Sequence, residues 1–244
     1  MDYNALCAER ANQRFDVKGH KVLVVGCNRG KDCSHFINYG ASEVHGVDVI
    51  EDIGSEFIHP RVEYHRARAQ DLPLPDNYFD MVYSFATMEH VSDIETSFLE
   101  FGRVVAPGGM IYCISAPLWR SRNGHHKANI FADFPWLHLR WSKDEILELA
   151  KDAGIAQQFT EEELLHHVNF MLNPKYFNMR SSYDYIDACN ALPGMETIVN
   201  SLDRESNDQL PDEIWHDLAE KGYDRADLLA VTHTYIARKK TGKL

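Results

Sequence analysis

Two apolar periodicities alternate between residues 21 and 153. Residues 21–25 (KVLVV) are an unbroken apolar run, expected of a strand buried on both faces. A Gly-containing turn at 26–30 leads into residues 32–39, which read as a helix closed by Gly40. Residues 43–47 make a second strand, ending at Asp48, and 61–65 a third. Asp76 and Asn77 turn the chain into a fourth, 79–84. Ser92 and Glu95 have the spacing of a capping box, opening a helix to about residue 105 that Pro107, Gly108 and Gly109 stop. Residues 110–115 follow as a fifth strand. Ser142 and Glu145 open another helix, which ends at Ala153 and is closed by Gly154. Residues 4–15, within an N-terminal segment 1–16, read as a short amphipathic helix. Alternating β-branched and aromatic residues from 228 predict a last strand within 228–240.

This order predicts an α/β fold, a doubly wound sheet with right-handed crossovers. Such sheets bind ligands outside the carboxyl ends of their strands. That rule gathers residues 26–30, Asp48, 68–71 and 84–90 around one crevice. Two segments break the alternation. Residues 117–140 follow the fifth strand as a loop insertion on the acceptor side. Residues 169–225 read as a mostly helical insertion before the last strand. Long connections of this kind serve as lids or pockets, or else as packing appendages and dimer interfaces. With no repeat and no Gly/Ser linker, residues 1–244 are expected to form a single domain.

Composition narrows the function. At 44% hydrophobic and 25% charged, the chain has ordinary globular values, which excludes wholesale disorder. No stretch reaches the roughly 18 apolar residues of a membrane span, and residues 1–15 carry no signal-peptide pattern. The net charge of -12 disfavours a nucleic-acid partner. Five cysteines without a CxxC pair suggest neither a disulfide framework nor a zinc knuckle, and fit a reducing, cytoplasmic setting.

Four motifs carry chemistry. Gly26-Cys27-Asn28-Arg29-Gly30 ends the first strand and opens a helix, so backbone can approach a ligand closely. As GxGxxG it fails at Asn28 and Lys31; as GxGxG it fails only at Asn28, and Asn is the best substitute for Gly at positive φ. Asp48 stands at the end of the second strand, where a carboxylate can accept both hydroxyls of a ribose. The third motif is QDLPLPDNYFDMVYS, residues 70–84. The fourth is Met88-Glu89-His90-Val91, followed by a helix and then Val105-Ala106-Pro107-Gly108-Gly109.

In this order and spacing the motifs resemble the class I S-adenosylmethionine-dependent methyltransferases, and within them the small-molecule type 11 group. The resemblance covers residues 17–153 and again 228–240. It implies a Rossmann-like seven-stranded sheet with an antiparallel last strand, and S-adenosylmethionine as cofactor with S-adenosylhomocysteine as product. It places the glycine turn, Gly26, Asn28 and Gly30, against the methionine part. Asp48 then meets the ribose, Val49 the adenine face, and Arg68, Ala69 and Gln70 the adenine edge, while Ser84 and Phe85 line the cofactor. Three positions depart from the family pattern. Val24 replaces an acid near the cofactor's amino end, Asn28 replaces the middle glycine, and Arg68 replaces the adenine acid.

Methyl transfer needs positioning and exclusion of water, and a hydroxyl acceptor also needs a base. His90, His125 and His126 are the catalytic candidates, with a satisfied structural histidine as the bland alternative at each. Trp119, His138, Arg180 and Tyr183 are candidates for contacting the acceptor. The aromatics Trp119, Phe131, Phe134, Trp136 and Trp141 suit a sugar face, or simply a small core under the loop. His125, His126, Asp133 and Glu89 are a possible divalent-metal set, but adjacent histidines point apart, so no metal ligand is assigned. The expected reaction is O-methylation of a small hydroxylated molecule, sugar- or natural-product-like. N- or C-methylation and a non-catalytic binding module are the competing readings, with an NAD(P) oxidoreductase behind them. A homodimer is compatible with the insertions, and neither a membrane nor a nucleic acid is expected as partner.

Overall fold

The computed structural model describes residues 3–242. Residues 1–2 and 243–244, the ends of the expected 1–244 domain and 1–16 segment, lie outside the described residues. In chain order come α1 (Tyr3–Arg14), β1 (Lys21–Val25), α2 (Lys31–Asn38), β2 (Glu43–Asp48) and β3 (Val62–Arg66). Next are β4 (Phe79–Phe85), a 3-10 turn (Met88–His90), α3 (Ile94–Val104) and β5 (Val105–Ser115). Then follow α4 (Ala128–Phe131), α5 (Leu137–Arg140), α6 (Lys143–Asp152), α7 (Glu161–Met171) and α8 (Ser182–Asn190). β6 (Met195–Arg204), α9 (Asp212–Glu220), α10 (Arg225–Leu228) and β7 (Ala230–Lys239) complete the chain.

The seven strands form one sheet in the order β3-β2-β1-β4-β5-β7-β6. β1 to β5 run parallel, and β7 is antiparallel to both its neighbours. The alternation of side chains explains the unbroken apolar run of β1. Val22 and Val24 point to one face, packing with Met81, Tyr83 and Tyr112 under Cys7, Ala11 and Phe36 of α1 and α2. Leu23 and Val25 point to the other, among Val82, Ile111 and Cys113 under Phe98 and Phe101 of α3 and Tyr185 of α8. Each of these strands is sandwiched, so most of its positions are apolar.

Several boundaries differ from the sequence reading. Asp93, not Ser92, caps α3: its Oδ1 accepts from the Thr96 amide at 2.9 Å. Ser92 accepts instead from Gln70 Nε2 at 3.3 Å, so no Ser92–Glu95 capping box forms. The capping box at Ser142 and Glu145 is present. β5 begins at Val105 rather than 110, with Pro107 to Gly109 inside the strand behind a register shift opposite Phe79 and Met81. The last strand starts at Ala230, because Leu228 closes α10.

The largest correction is β6, ten residues of strand inside the segment 169–225 that was expected to be mostly helical. β6 lies at the sheet margin and pairs only with β7. Register shifts at Thr197/Val199 and Asp203/Arg204 break its period of two, and most of its residues are exposed or half-buried. Neither an apolar run nor clean alternation remains to mark such a strand.

The insertions pack on one another. Trp119 and Trp136 share a core with Phe177, Leu210, Leu218 and Leu228, and Trp136 Nε1 donates to the carbonyls of Arg120 (3.1 Å) and Leu228 (3.2 Å). Phe131, with Phe134 and Trp141 against it, belongs to a second core with Leu137, Ile146, Leu164 and Val168. The aromatics are therefore divided between two small cores rather than lined up as one flat face. Among the described residues no helix is long and apolar enough to cross a membrane.

Candidate active site

The crevice lies where the sheet order reverses, between β1 and β4. Gly26 (φ 78°) ends β1, and its amide donates to the Val47 carbonyl at 2.8 Å, tying the turn to the end of β2. A Cβ at Gly26 would stand 1.9 Å from Thr87 Oγ1, so the turn and the end of β4 touch only because this residue is glycine. A Cβ at Gly30 (φ 99°) would meet the Tyr64 hydroxyl at 2.3 Å. Asn28 has φ 50°, so the residue at the middle glycine position adopts the backbone conformation glycine would.

Asp48 is held before any ligand arrives. Its Oδ2 accepts from the Asn28 amide at 2.8 Å, and its Oδ1 accepts from Val49 at 2.7 Å and Ile50 at 3.3 Å. A carboxylate has about four acceptor sites. One lone pair therefore stays open on Oδ2, and a second opens if the long Ile50 contact gives way. Beside it Val49 is 57% exposed, an apolar side chain kept in water at the lip of the crevice.

Two adjoining cavities share Gly26, Asn28 and Ala86 as walls. The larger, about 830 Å³, takes in Gly26, Asn28, Asp48, Val49, Arg68, Ala69, Gln70 and His90. The smaller, about 630 Å³, is bounded by Asn4 of α1, Lys31 and Asp32 of α2, and Phe85. These volumes are of the size that holds a drug-sized ligand. Ser84, expected to line the cofactor, is instead fully buried beneath the crevice, and Gly30 is buried as well.

Ala86 and Thr87, within the 84–90 stretch that the strand-end rule gathers, wall the larger cavity, and Ala86 has φ 48°, uncommon for a side-chain-bearing residue. Two further walls carry no signature in the sequence. Pro174 and Lys175 come from the 169–225 segment and close one side of the larger cavity. The same segment is stitched to the turn after β4: Asn178 Nδ2 donates to the carbonyls of Met88 (2.8 Å) and Val91 (3.1 Å). Arg103, unremarked in sequence, donates to the carbonyls of Leu72 and Leu74 and to Glu100 and Asp76, which fixes the loop bearing Gln70.

The histidines divide. His90 lines the larger cavity, and its Nδ1 donates to the Tyr176 carbonyl at 2.6 Å, which leaves Nε2 as the lone-pair nitrogen. Burial pushes its pKa down, against the pull of the Tyr176 carbonyl, so the ring is neutral at pH 7. His126 packs edge-on to His90 at 4.9 Å, its Nε2 3.2 Å from the Pro117 carbonyl; burial holds its pKa down at about 4. His125 is fully buried, accepts from the Lys127 amide at 3.0 Å, and borders neither cavity. His138 donates to the Trp119 carbonyl at 2.6 Å inside the core.

The acceptor candidates are not brought to the crevice. Trp119 is buried against His138 and Phe177. Arg180 pairs with both carboxylate oxygens of Glu95, at 2.9 and 2.8 Å. The Tyr183 hydroxyl donates to Asp224 at 2.7 Å. Among the described residues, the set His125, His126, Asp133 and Glu89 does not converge, but Glu89, His90 and His126 do.

Burial holds His138 and His233 down to a pKa of about 4 each. Their unfolded value is near 6.5. The unfolded chain thus binds protons that the folded one refuses, so this stability is complete above pH 6.5 and is lost as pH falls toward 4. At pH 5 each histidine costs on the order of 2 kcal/mol. Urea midpoints measured from pH 7.5 to pH 5 are expected to fall steeply, and more gently in His138→Gln. Equal slopes would show that His138 is not the group responsible.

Residues 23–113 match the methyltransferase domain family. Methyltransferase GfsG of Streptomyces halstedii is 33% identical over 112 residues, 42% of this chain and 40% of that protein. A ubiquinone biosynthesis O-methyltransferase of Mesorhizobium japonicum is 32% identical over 109 residues, 42% of this chain and 43% of that protein. The chain thus spans about two-fifths of the length of the curated relatives it matches. The same fold is found in an S-adenosylmethionine-dependent methyltransferase from Mesorhizobium loti, with TM-score 0.58 and 18% identity over 96% of this chain and 98% of that one.

Proposed function

We infer, for a chain that carries a class I S-adenosylmethionine-dependent methyltransferase domain, that the crevice binds this cofactor and that the protein methylates a hydroxyl group of a small molecule. The observation that carries the reading is the composition of the larger cavity: Asp48 and Val49 on one wall, His90 on another. Asp48 offers a lone pair to a ribose hydroxyl, and Val49 covers an adenine face while Gln70 and the Ala69 backbone meet its edge. The amino-acid end lies toward the smaller cavity, where Asp32 stands in for the acid that Val24 does not supply. When bound, S-adenosylmethionine supplies an electrophilic methyl on a sulfonium.

The remaining work belongs to the chain. Pro174 and Lys175 limit water at the crevice mouth, and the His90 Nε2 lone pair is placed to take the proton of an acceptor hydroxyl. A relative named for O-methylation supports oxygen as the acceptor atom, and the net charge of -12 supports an acceptor without a phosphate backbone. All five cysteines are unpaired and buried, which supports a reducing, cytoplasmic compartment.

Calorimetry with S-adenosylhomocysteine, followed by a radiolabelled transfer screen of hydroxylated molecules and matched amines, tests this. Micromolar binding and transfer to hydroxyls are expected, with kcat falling 10²- to 10⁴-fold in His90→Ala, roughly the size of a general-base effect. Transfer to amines alone, indifferent to His90, would replace the O-methylation reading with N-methylation.

A further inference from the structure

Glu89 is 1% exposed, and neither of its carboxyl oxygens has a hydrogen-bond partner. The nearby amides of Glu89 and Ala116 offset its burial only in part. A bare carboxyl in the interior is costly. Its surroundings compound the difficulty. His90 Nδ1 gives its hydrogen to the Tyr176 carbonyl, so Nε2, 4.0 Å from Glu89 Oε1, is a lone pair. His126 Nε2 faces the Pro117 carbonyl, which can only accept, so its Nδ1 is a lone pair too. One ligand-capable atom from each of the three residues lies within 4.8 Å of the others. Three proton-accepting groups meet here, a corner that a shared proton or a bound cation satisfies.

We propose that Glu89, His90 and His126 form a binding site for a divalent transition-metal ion, with zinc as the best-matched class. Two neutral imidazoles and one carboxylate suit borderline metals, whereas magnesium and calcium prefer all-oxygen shells. The outer shell has the form such sites take: each histidine is oriented by a carbonyl on its other nitrogen. Those carbonyls come from separate segments, Tyr176 before α8 and Pro117 after β5, so the corner forms only in the folded chain. His126 is held at φ 58°, a conformation uncommon outside glycine that aims the ring toward His90. Three protein ligands leave a coordination position open, and His90 lines the larger cavity.

The chemical use of the ion rests on the methyl-transfer reading. A hydroxyl oxygen on the open position would have its pKa lowered, and its proton would leave to water while His90 serves as ligand. In the metal-free protein His90 keeps the proton-accepting part. Binding of the ion is independent of either.

Zinc chloride is titrated into the full chain by calorimetry, beside S-adenosylhomocysteine in the same preparation. Cobalt(II) spectra report the coordination. One zinc per chain is expected, weakened at least tenfold in Glu89→Gln and in His126→Gln, with cobalt bands of a four- or five-coordinate nitrogen–oxygen site. His65→Gln is the control, since His45, Glu63 and His65 are a second cluster with metal-ligand spacing. Zinc binding lost in His65→Gln and kept in Glu89→Gln would overturn the proposal. So would protein that binds S-adenosylhomocysteine but no zinc, which leaves the cofactor reading intact. Zinc binding without S-adenosylhomocysteine binding would uphold the metal site and end the cofactor reading.

Discussion

Asp48→Ala is expected to weaken S-adenosylhomocysteine binding about a hundredfold while the protein stays folded. The size follows from the hydrogen bonds removed: two charge-assisted bonds to ribose hydroxyls at about 1.5 kcal/mol each give close to 3 kcal/mol. The same substitution frees the amides of Asn28, Val49 and Ile50, which the carboxylate now accepts. These amides sit on the crevice wall and can turn to water, so the cost to folding is small. Calorimetry reads the affinity, and a urea midpoint close to wild type shows that the loss is local. Asp48→Asn separates charge from shape. Its single acceptor oxygen can keep the Asn28 amide or a ribose hydroxyl but not the full set, so it should fall between wild type and Asp48→Ala. Unchanged affinity in Asp48→Ala would mean that the ribose lies elsewhere.

The second large effect lies away from the crevice. Asp227 is 1% exposed; its Oδ2 accepts from Arg120 at 2.8 Å and its Oδ1 from the Ser182 amide at 2.7 Å. One carboxylate thus joins the segment after β5, the start of α8 and α10. Asp227→Ala leaves a buried amide without an acceptor and a half-buried guanidinium without its partner. Breaking such a pair costs about 3 kcal/mol, at the low end because Arg120 is partly exposed. For a chain of this size that lowers Tm by roughly 6–12 °C. Thermal melts check this, and the double variant Arg120→Leu/Asp227→Leu should recover part of the loss by removing the orphaned charge as well. A Tm within two degrees of wild type in Asp227→Ala would show that the three segments hold together without this link.

What could be read from the chain, and what could not, follows from the range of the forces involved. β1, β2, β4 and β5 declare themselves because both faces are buried, so their apolar runs are dictated locally. Asp48 and the glycine turn are legible because backbone geometry restricts those positions to a few residue types. β6 is hidden because its register shifts and its margin position remove the pattern. The acceptor candidates illustrate another limit. Trp119, Arg180 and Tyr183 have the right chemistry, but their partners, Phe177, Glu95 and Asp224, come from distant parts of the chain. Sequence likewise grouped His126 with His125, Asp133 and Glu89. Only the fold shows that His90 joins His126 and Glu89 while His125 and Asp133 do not.

The sheet's two margins have a further consequence. β3 offers only five residues, VEYHR, and β6 carries Glu196, Asp203 and Arg204 along its length. A second chain adding a strand at either side would have to pair its backbone beside these charges, and at β6 across two breaks in register. Short, charged and irregular borders of this kind suppress strand-to-strand association. The irregularity that hides β6 from a reader of the sequence therefore also protects the folded chain from edge-on aggregation.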